Sequence, residues 1–134
     1  MACDQRSELS EISDNHYRSG DFAKAVTCYS QLIDWYRENT SAISKEKLAL
    51  LYNNRGHSKY MLVDFYPAKD DFDIALSLNP SLDIAFYNRA TIHYRMGDFS
   101  AALEDFRMCT KMNPDNLEFA EGLKACQQCL EREK

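Results

Sequence analysis

Glycine and proline are scarce, four and three in 134 residues, too few to punctuate an all-β chain with hairpin turns. No apolar run approaches the ~18 residues that a membrane-spanning helix needs. The opening "MACDQRSELS" contains no apolar stretch and predicts no signal peptide. Basic charge is also short. Sixteen Lys and Arg against 21 Asp and Glu leave a net charge of −5, which argues against nucleic acid as a main partner, because phosphate binding needs clustered cations. Catalytic signatures are missing too: there is no Gly-rich phosphate loop, no nucleophile elbow and no helical His-Glu-x-x-His pair. An acidic helical surface supplies the many carboxylates without any catalytic need for them. These absences predict no enzyme, no cofactor, no small-molecule substrate and no membrane partner.

What is present is a repeat. Residues 88–99, "NRATIHYRMGDF", echo residues 54–65, "NRGHSKYMLVDF", at an offset of 34. The echo extends to Ala68/Ala102, Asp71/Asp105, Phe72/Phe106, Asn79/Asn113 and Pro80/Pro114. A third copy, "HYRSGDFAKAVTCY", lies upstream, its Asp21 preceding Asp64 by 43 residues, so about nine extra residues separate the first two copies. Self-similarity at such a period marks stacked supersecondary units, each too small to bury its own apolar face.

Each copy holds two helical patterns, in the middle one "LALLYNNRGHSKYML" and "PAKDDFDIALSL". Between them stand Gly20-Asp21 and Gly97-Asp98, where Gly takes positive φ and Asp caps the next helix. Val63 replaces that Gly in the middle copy and predicts a different turn, since a β-branched residue resists positive φ. Pro67 falls in the first turn of its helix, where a missing N–H costs little. Pro80 and Pro114 stop the second helices, while Arg37 in the first copy permits a longer one. The expected layout is a tail at 1–5, repeats at 6–39, 49–82 and 83–116, a polar connection at 40–48 and a capping helix at 117–134. In that cap Leu123, Cys126 and Leu130 form an apolar edge, and Gly122 permits close approach to the helix beneath.

The pattern resembles the tetratricopeptide repeat family. The slots that carry the resemblance are Ser13, Gly56 and Ala90 (small), Tyr17, Tyr60 and Tyr94 (aromatic), Ala25, Ala68 and Ala102, then Tyr29, Phe72 and Phe106. It implies an all-α fold, a right-handed superhelical array of three helix-turn-helix repeats plus a C-terminal capping helix. It also implies a concave groove, lined by the first helix of each repeat, that holds a peptide. On those helices the groove-facing stripe is Tyr17 and Arg18, then Asn53, Asn54, His57 and Tyr60, then Tyr87, Asn88, Tyr94 and Arg95. Aromatic anchors mixed with amides suit an extended backbone, although Tyr and Asn also serve to cross-link neighbouring helices.

The family's best-known activity is a clamp for acidic chaperone C-termini. Its five polar slots fall here on Ser10, Asp14, Asn54, Ile84 and Asn88, so one residue is kept and all three cations are lost. Two lost charge-assisted bonds cost about 3 kcal/mol, and Asp14 repels a carboxylate. The expectation is therefore a non-enzymatic, cytoplasmic adaptor or scaffold that binds a peptide or helical segment of a protein partner in the concave groove. A chaperone-terminus binder with an altered clamp and a self-associating subunit of a larger complex stand as alternatives.

Five cysteines make an odd set, read as reduced thiols in a cytosolic chain, packed as small hydrophobes. Cys126-x-x-Cys129 lacks the second ligand pair that structural zinc needs, so no metal is expected. His16, Lys59 and His93 follow the inward stripe and read as structural, and Trp35 as a large core residue.

Overall fold

The computed structural model describes residues 1–133. Those residues form seven α-helices and one short 3-10 helix, with no strand among them. The chain divides into two compact units, Met1–Asn79 and Pro80–Lys134.

The first unit contains α1 (Cys3–Ser19), α2 (Phe22–Glu38), a 3-10 helix at Thr40–Ala42, α3 (Lys45–Met61) and α4 (Phe65–Leu78). Consecutive helices pack on one another, α1 on α2, α2 on α3 and α3 on α4. Helix α1 starts inside the expected tail, because the Gln5 side chain reaches back to accept from the Ala2 amide at 3.0 Å. Helix α3 likewise begins inside the expected connection, where Ser44 Oγ caps it by accepting from Lys47 N–H at 3.2 Å. The insertion between the first two copies therefore lengthens helices more than it lengthens loop. Helix α2 has 17 residues where α4 has 14, and α3 has 17 where α5 has 13.

Ala25, Tyr29 and Leu32 form a buried cluster, with Leu9, Tyr17, Tyr36 and Leu51 against it. Helices α3 and α4 approach closely at Gly56, where a Cβ would stand 2.9 Å from the Phe72 ring and 3.2 Å from the Ala68 carbonyl oxygen. A buried ion pair ties the same two helices together. Arg55 donates from Nε and Nη2 to the two Asp71 oxygens at 2.9 and 2.7 Å, and Lys59 adds a contact at 3.0 Å. Lys59 thus holds a structural partner, as its inward position predicts.

The second unit contains α5 (Asp83–Arg95), α6 (Phe99–Met112) and α7 (Leu117–Glu133). Ala90, Ala102, Phe106, Cys109, Phe119 and Cys126 make its core, with Leu123 packed against it. Helix α7 covers α6 and touches α5, and it does so through Gly122, whose absent Cβ would sit 2.5 Å from the Phe106 ring. Arg89 and Asp105 repeat the bidentate pair of the first unit at 2.8 Å per bond, with His93 Nε2 3.8 Å away.

The turn between the helices of each pair has one geometry. Gly20 and Gly97 have φ of 83° and 81°, and Val63 adopts φ 61° in the same place. The expected deviation at Val63 does not occur. Its N–H donates to Tyr60 O and the Asp64 N–H to Lys59 O, both at 2.9 Å, the same two bonds that close the Gly97 turn. The cap does differ. Asp21 and Asp98 accept from the amides three residues on, Lys24 and Ala101, each at 3.3 Å. Asp64 makes no such bond, because the third residue on is Pro67, which has no N–H.

Candidate interaction groove

Helices α1 and α3 of the first unit face each other across an open groove of about 850 Å³. From α1 it receives Cys3, Arg6, Ser7, Ser10, Glu11, Asp14 and Arg18, residues at helical spacing along one face, with both signs of charge among them. From α3 come Lys47, Leu50, Leu51 and Asn54. Leu32 and Tyr36 of α2 contribute apolar surface, and Ala42, Ile43 and Ser44, just before α3, form a wall at one end. That wall comes from the insertion that the polar composition of 40–48 suggested was only a connection.

Of the stripe read from sequence, Arg18 and Asn54 line this groove, as do Ser10 and Asp14, the slots taken from the resemblance. Tyr17, Asn53, His57 and Tyr60 lie behind or beside it and serve as packing. Tyr17 O–H and His57 Nδ1 are 2.8 Å apart, and Tyr17 makes edge contacts to Phe22 and Tyr29. His57 stacks on Tyr60, which stacks on Phe65. Burial pushes the His57 imidazole below its ordinary pKa and raises that of the Tyr17 phenol, so both are neutral at pH 7.

A directed chain of hydrogen bonds runs to the groove floor. Asn53 Nδ2, on a buried side chain, donates to Asn54 Oδ1 at 3.3 Å, and Asn54 Nδ2 donates to the Tyr29 phenol oxygen at 3.4 Å. Tyr29 O–H then donates to Asp14 Oδ1 at 2.5 Å. Burial first, and the hydrogen bond to Asp14 after it, hold the Tyr29 phenol well above its usual pKa, so at neutral pH it keeps the proton it donates. Such a chain polarises toward its acceptor and fixes the carboxylate in one orientation. No ion pair to a basic side chain of the described residues competes for Asp14.

Arg6 lines the end of the groove near the insertion. Its guanidinium carbon lies 4.3 Å from the Trp35 ring centre, and its Nε is buried without a hydrogen-bond partner. Trp35 is half-buried and acts as a platform for this cation rather than as a core residue. Sequence reasoning left Arg6 out, although its place one turn before Ser10 on the α1 stripe was a usable signal.

Within the second unit, Tyr87 packs against Phe106 and Phe119 at ring separations of 5.9 and 5.1 Å. Asn88 is buried, and its backbone carbonyl accepts from the Thr91 hydroxyl at 2.6 Å. Tyr94 packs on Phe99 at 5.3 Å, and its O–H lies 3.4 Å from Cys129 Sγ. Arg95 alone of these four is exposed. Cys126 is buried and donates from Sγ to Phe99 O, and burial pushes the Cys109 thiol up to about 11, so both behave as packed hydrophobes.

Residues 84–116 match the family model for the tetratricopeptide repeat. The match falls on the α5–α6 pair. Solved structures extend the likeness along the chain. The first TPR of Spaghetti (RPAP3), bound to the HSP90 peptide SRMEEVD, superposes with a TM-score of 0.83 at 22% identity, over 98% of this chain and 97% of that one. The fold is the tetratricopeptide repeat fold. The second TPR domain of human RPAP3, in complex with the HSP70 peptide SGPTIEEVD, gives a TM-score of 0.76 at 22% identity, over 92% and 95% of the two chains. The TPR2B domain of yeast Sti1, in a pHsp70 complex, gives 0.78 at 19% identity, over 92% and 96%. In tetratricopeptide repeat terms, Gly56 and Ala90 occupy the small slot, and Gly56 makes the close helix contact. No helix among the described residues is long and apolar enough to cross a membrane.

Proposed function

We propose that this chain is a non-catalytic protein-interaction module, a cytoplasmic adaptor or scaffold, that holds an extended peptide segment in the α1–α3 groove of Met1–Asn79. The observation that carries the reading is Asn54. Its amide is anchored by Asn53 and Tyr29 and also lines the groove, so a fixed polar group stands beside exposed Leu50. Fixed amides and phenols next to apolar surface are what recognition of an extended backbone requires. The proposed contact set is Arg18 and Asn54, with Ser10, Asp14, Lys47 and Leu50 added to it. Tyr17, Asn53, His57 and Tyr60 support these from behind. Within Pro80–Lys134, Tyr87 and Tyr94 pack on neighbouring helices, Asn88 is buried, and Arg95 remains a candidate contact.

A second reading, a binder of chaperone C-termini with an altered clamp, is favoured by the cations Arg6, Arg18 and Lys47 in the groove. The solved relatives bound to HSP90 and HSP70 peptides support that class of partner. Asp14 opposes it by repelling a terminal carboxylate.

The test is quantitative capture from cell extract with wild type and with Ser7→Trp. Ser7 is exposed in the groove, so the indole fills the groove without altering charge or core. Proteins lost at least tenfold with the variant are groove partners. An unchanged set means that contact lies elsewhere, and the groove reading is abandoned.

A further inference from the structure

The turn from α3 into α4 carries four large apolar side chains that the fold leaves in solvent. Met61 and Leu62 are half exposed, and Val63 and Tyr66 are 69% and 70% exposed. The other copies show that the turn does not need them. The same slots hold Arg18, Ser19, Gly20 and Ala23 in the first copy and Arg95, Met96, Gly97 and Ser100 in the last, and only Met96 among these is a large apolar residue. Val63 is strained as well, a β-branched residue at φ 61° where both counterparts are glycine. An apolar residue that strains the backbone and buries little at home serves a contact outside the chain.

The charge beside this surface is negative. Asp64 and Asp70 are exposed, Asp64 caps no amide, and neither side chain meets a cation among the described residues. The nearby cations are engaged. Arg55 and Lys59 turn onto buried Asp71, Lys69 bonds to Asp73 at 2.9 Å, Lys24 pairs with Asp21, and Arg18 lines the α1–α3 groove. Tyr66, Asp70 and Ile74 continue the face along one side of α4, all three exposed at steps of four residues.

We propose that this face docks a basic amphipathic helix of a partner protein, its apolar stripe on Met61, Leu62, Val63 and Tyr66 and its Lys or Arg side chains on Asp64 and Asp70. None of these six residues lines the α1–α3 groove, so the contact goes beyond the peptide-groove reading and does not depend on it. From Tyr66 to Ile74 the face rises about 12 Å along α4, room for two turns of a helix laid beside it. Methionine and leucine side chains repack readily against such a stripe. The acidic border selects the occupant. A second copy in two-fold contact would bring its own Asp64 and Asp70 against these, and an anionic lipid surface meets the same repulsion.

The probe is an end-blocked amphipathic helix of leucine and lysine, about 18 residues long, titrated against the full chain and read by fluorescence anisotropy. A leucine–glutamate helix of the same pattern and a shuffled leucine–lysine peptide are the comparisons. The leucine–lysine helix should bind at least tenfold tighter than either. The triple variant Leu62→Ser, Val63→Gly, Tyr66→Ala takes the residues of the first copy, so its helical circular dichroism should be unchanged while binding falls at least tenfold. Asp64→Asn with Asp70→Asn should weaken binding several-fold and flatten its salt dependence, and this pair stands if the triple variant perturbs folding. Ser7→Trp, which fills the groove, should leave binding as it was. Release by Ser7→Trp would move the helix into the groove, overturning this site while the groove reading stands. Equal binding of the three peptides, binding of none, or full binding by the triple variant also overturns it. So does sedimentation of the chain with phosphatidylcholine–phosphatidylserine vesicles that the triple variant abolishes, which would make the face a membrane contact.

Discussion

Residues 62–64 and 96–98 occupy corresponding places in the α3–α4 and α5–α6 pairs and make the same backbone hydrogen bonds, but from different residues. The last pair turns on Gly97 and caps its second helix through Asp98 and the Ala101 amide. The middle pair turns on Val63 in the left-handed region, and its Asp64 faces Pro67, which offers no N–H. A non-glycine residue there costs about 1–2 kcal/mol, and a missing cap bond costs about 1 kcal/mol more. The middle turn forms nevertheless. Its geometry is set by the helices on either side, which Gly56, Phe72 and the Arg55–Asp71 pair hold together, and the local preference of one residue yields to them.

If helix packing imposes the turn, breaking the ion pair should do the most damage. Asp71 is almost fully buried and neutralises both Arg55 and Lys59, with side-chain exposures of 15% and 17%. Asp105 neutralises Arg89, which is 23% exposed, and has only a distant His93 besides. Removing one partner of a buried pair costs about 3–5 kcal/mol. Asp71→Ala should reach that range in urea unfolding, and Asp105→Ala should fall below it, since Arg89 is left with better access to water. Equal losses would mean that Lys59 adds nothing to the middle pair.

The turns themselves can be exchanged. Val63→Gly relieves the strained φ and should stabilise by about 1 kcal/mol, less than the full relief because glycine also gains freedom in the unfolded chain. Gly97→Val imposes the strain on a site with open space around the new side chain and should cost about 1 kcal/mol by the same balance, since the entropy term now offsets part of it. Val63 is 69% exposed, so little burial confuses the first measurement. A destabilised Val63→Gly would show that the valine side chain packs in a way that outweighs its backbone.

The period, the helix boundaries set by Pro80 and Pro114, and the long α2 after Arg37 were legible because they depend on residue type and spacing alone. Gly122 was legible for the same reason, since a glycine inside an amphipathic helix asks for a close neighbour. The ion pairs were half legible. Arg55/Arg89 and Asp71/Asp105 stood out as repeated letters, but only a folded helix pair shows that residues 16 apart meet. Position alone makes Pro67 harmless in a first turn, but the N–H that proline lacks is the one that would bond to Asp64. In the groove, Asn54 and Arg18 could be read from the stripe. The donor chain through Tyr29 could not, because it joins three helices, and neither could the wall at Ala42 and Ile43, because composition does not say where a connection packs.

The smallest effect concerns the slot of His57, which the last pair fills with Thr91. Thr91 donates back to Asn88 O and carries no titratable group, so this slot in the last pair is blind to pH. His57 is not. Its ring lies among Tyr17, Phe22 and Tyr60, and burial holds its folded pKa below the ordinary 6.5. As pH falls through about 6.5 the unfolded chain binds the proton first, so unfolding is favoured from there downward until the folded imidazole also protonates. Above that window His57 contributes no pH dependence. His57→Gln keeps a hydrogen-bonding group for Tyr17 and removes the titration. Between about pH 7.5 and about pH 5 the wild type should therefore lose more stability than the variant, read as a larger fall in urea midpoint. Parallel losses in the two proteins would place the acid sensitivity on other groups, and would mean that the Tyr17 hydroxyl accommodates the imidazolium as readily as the neutral ring.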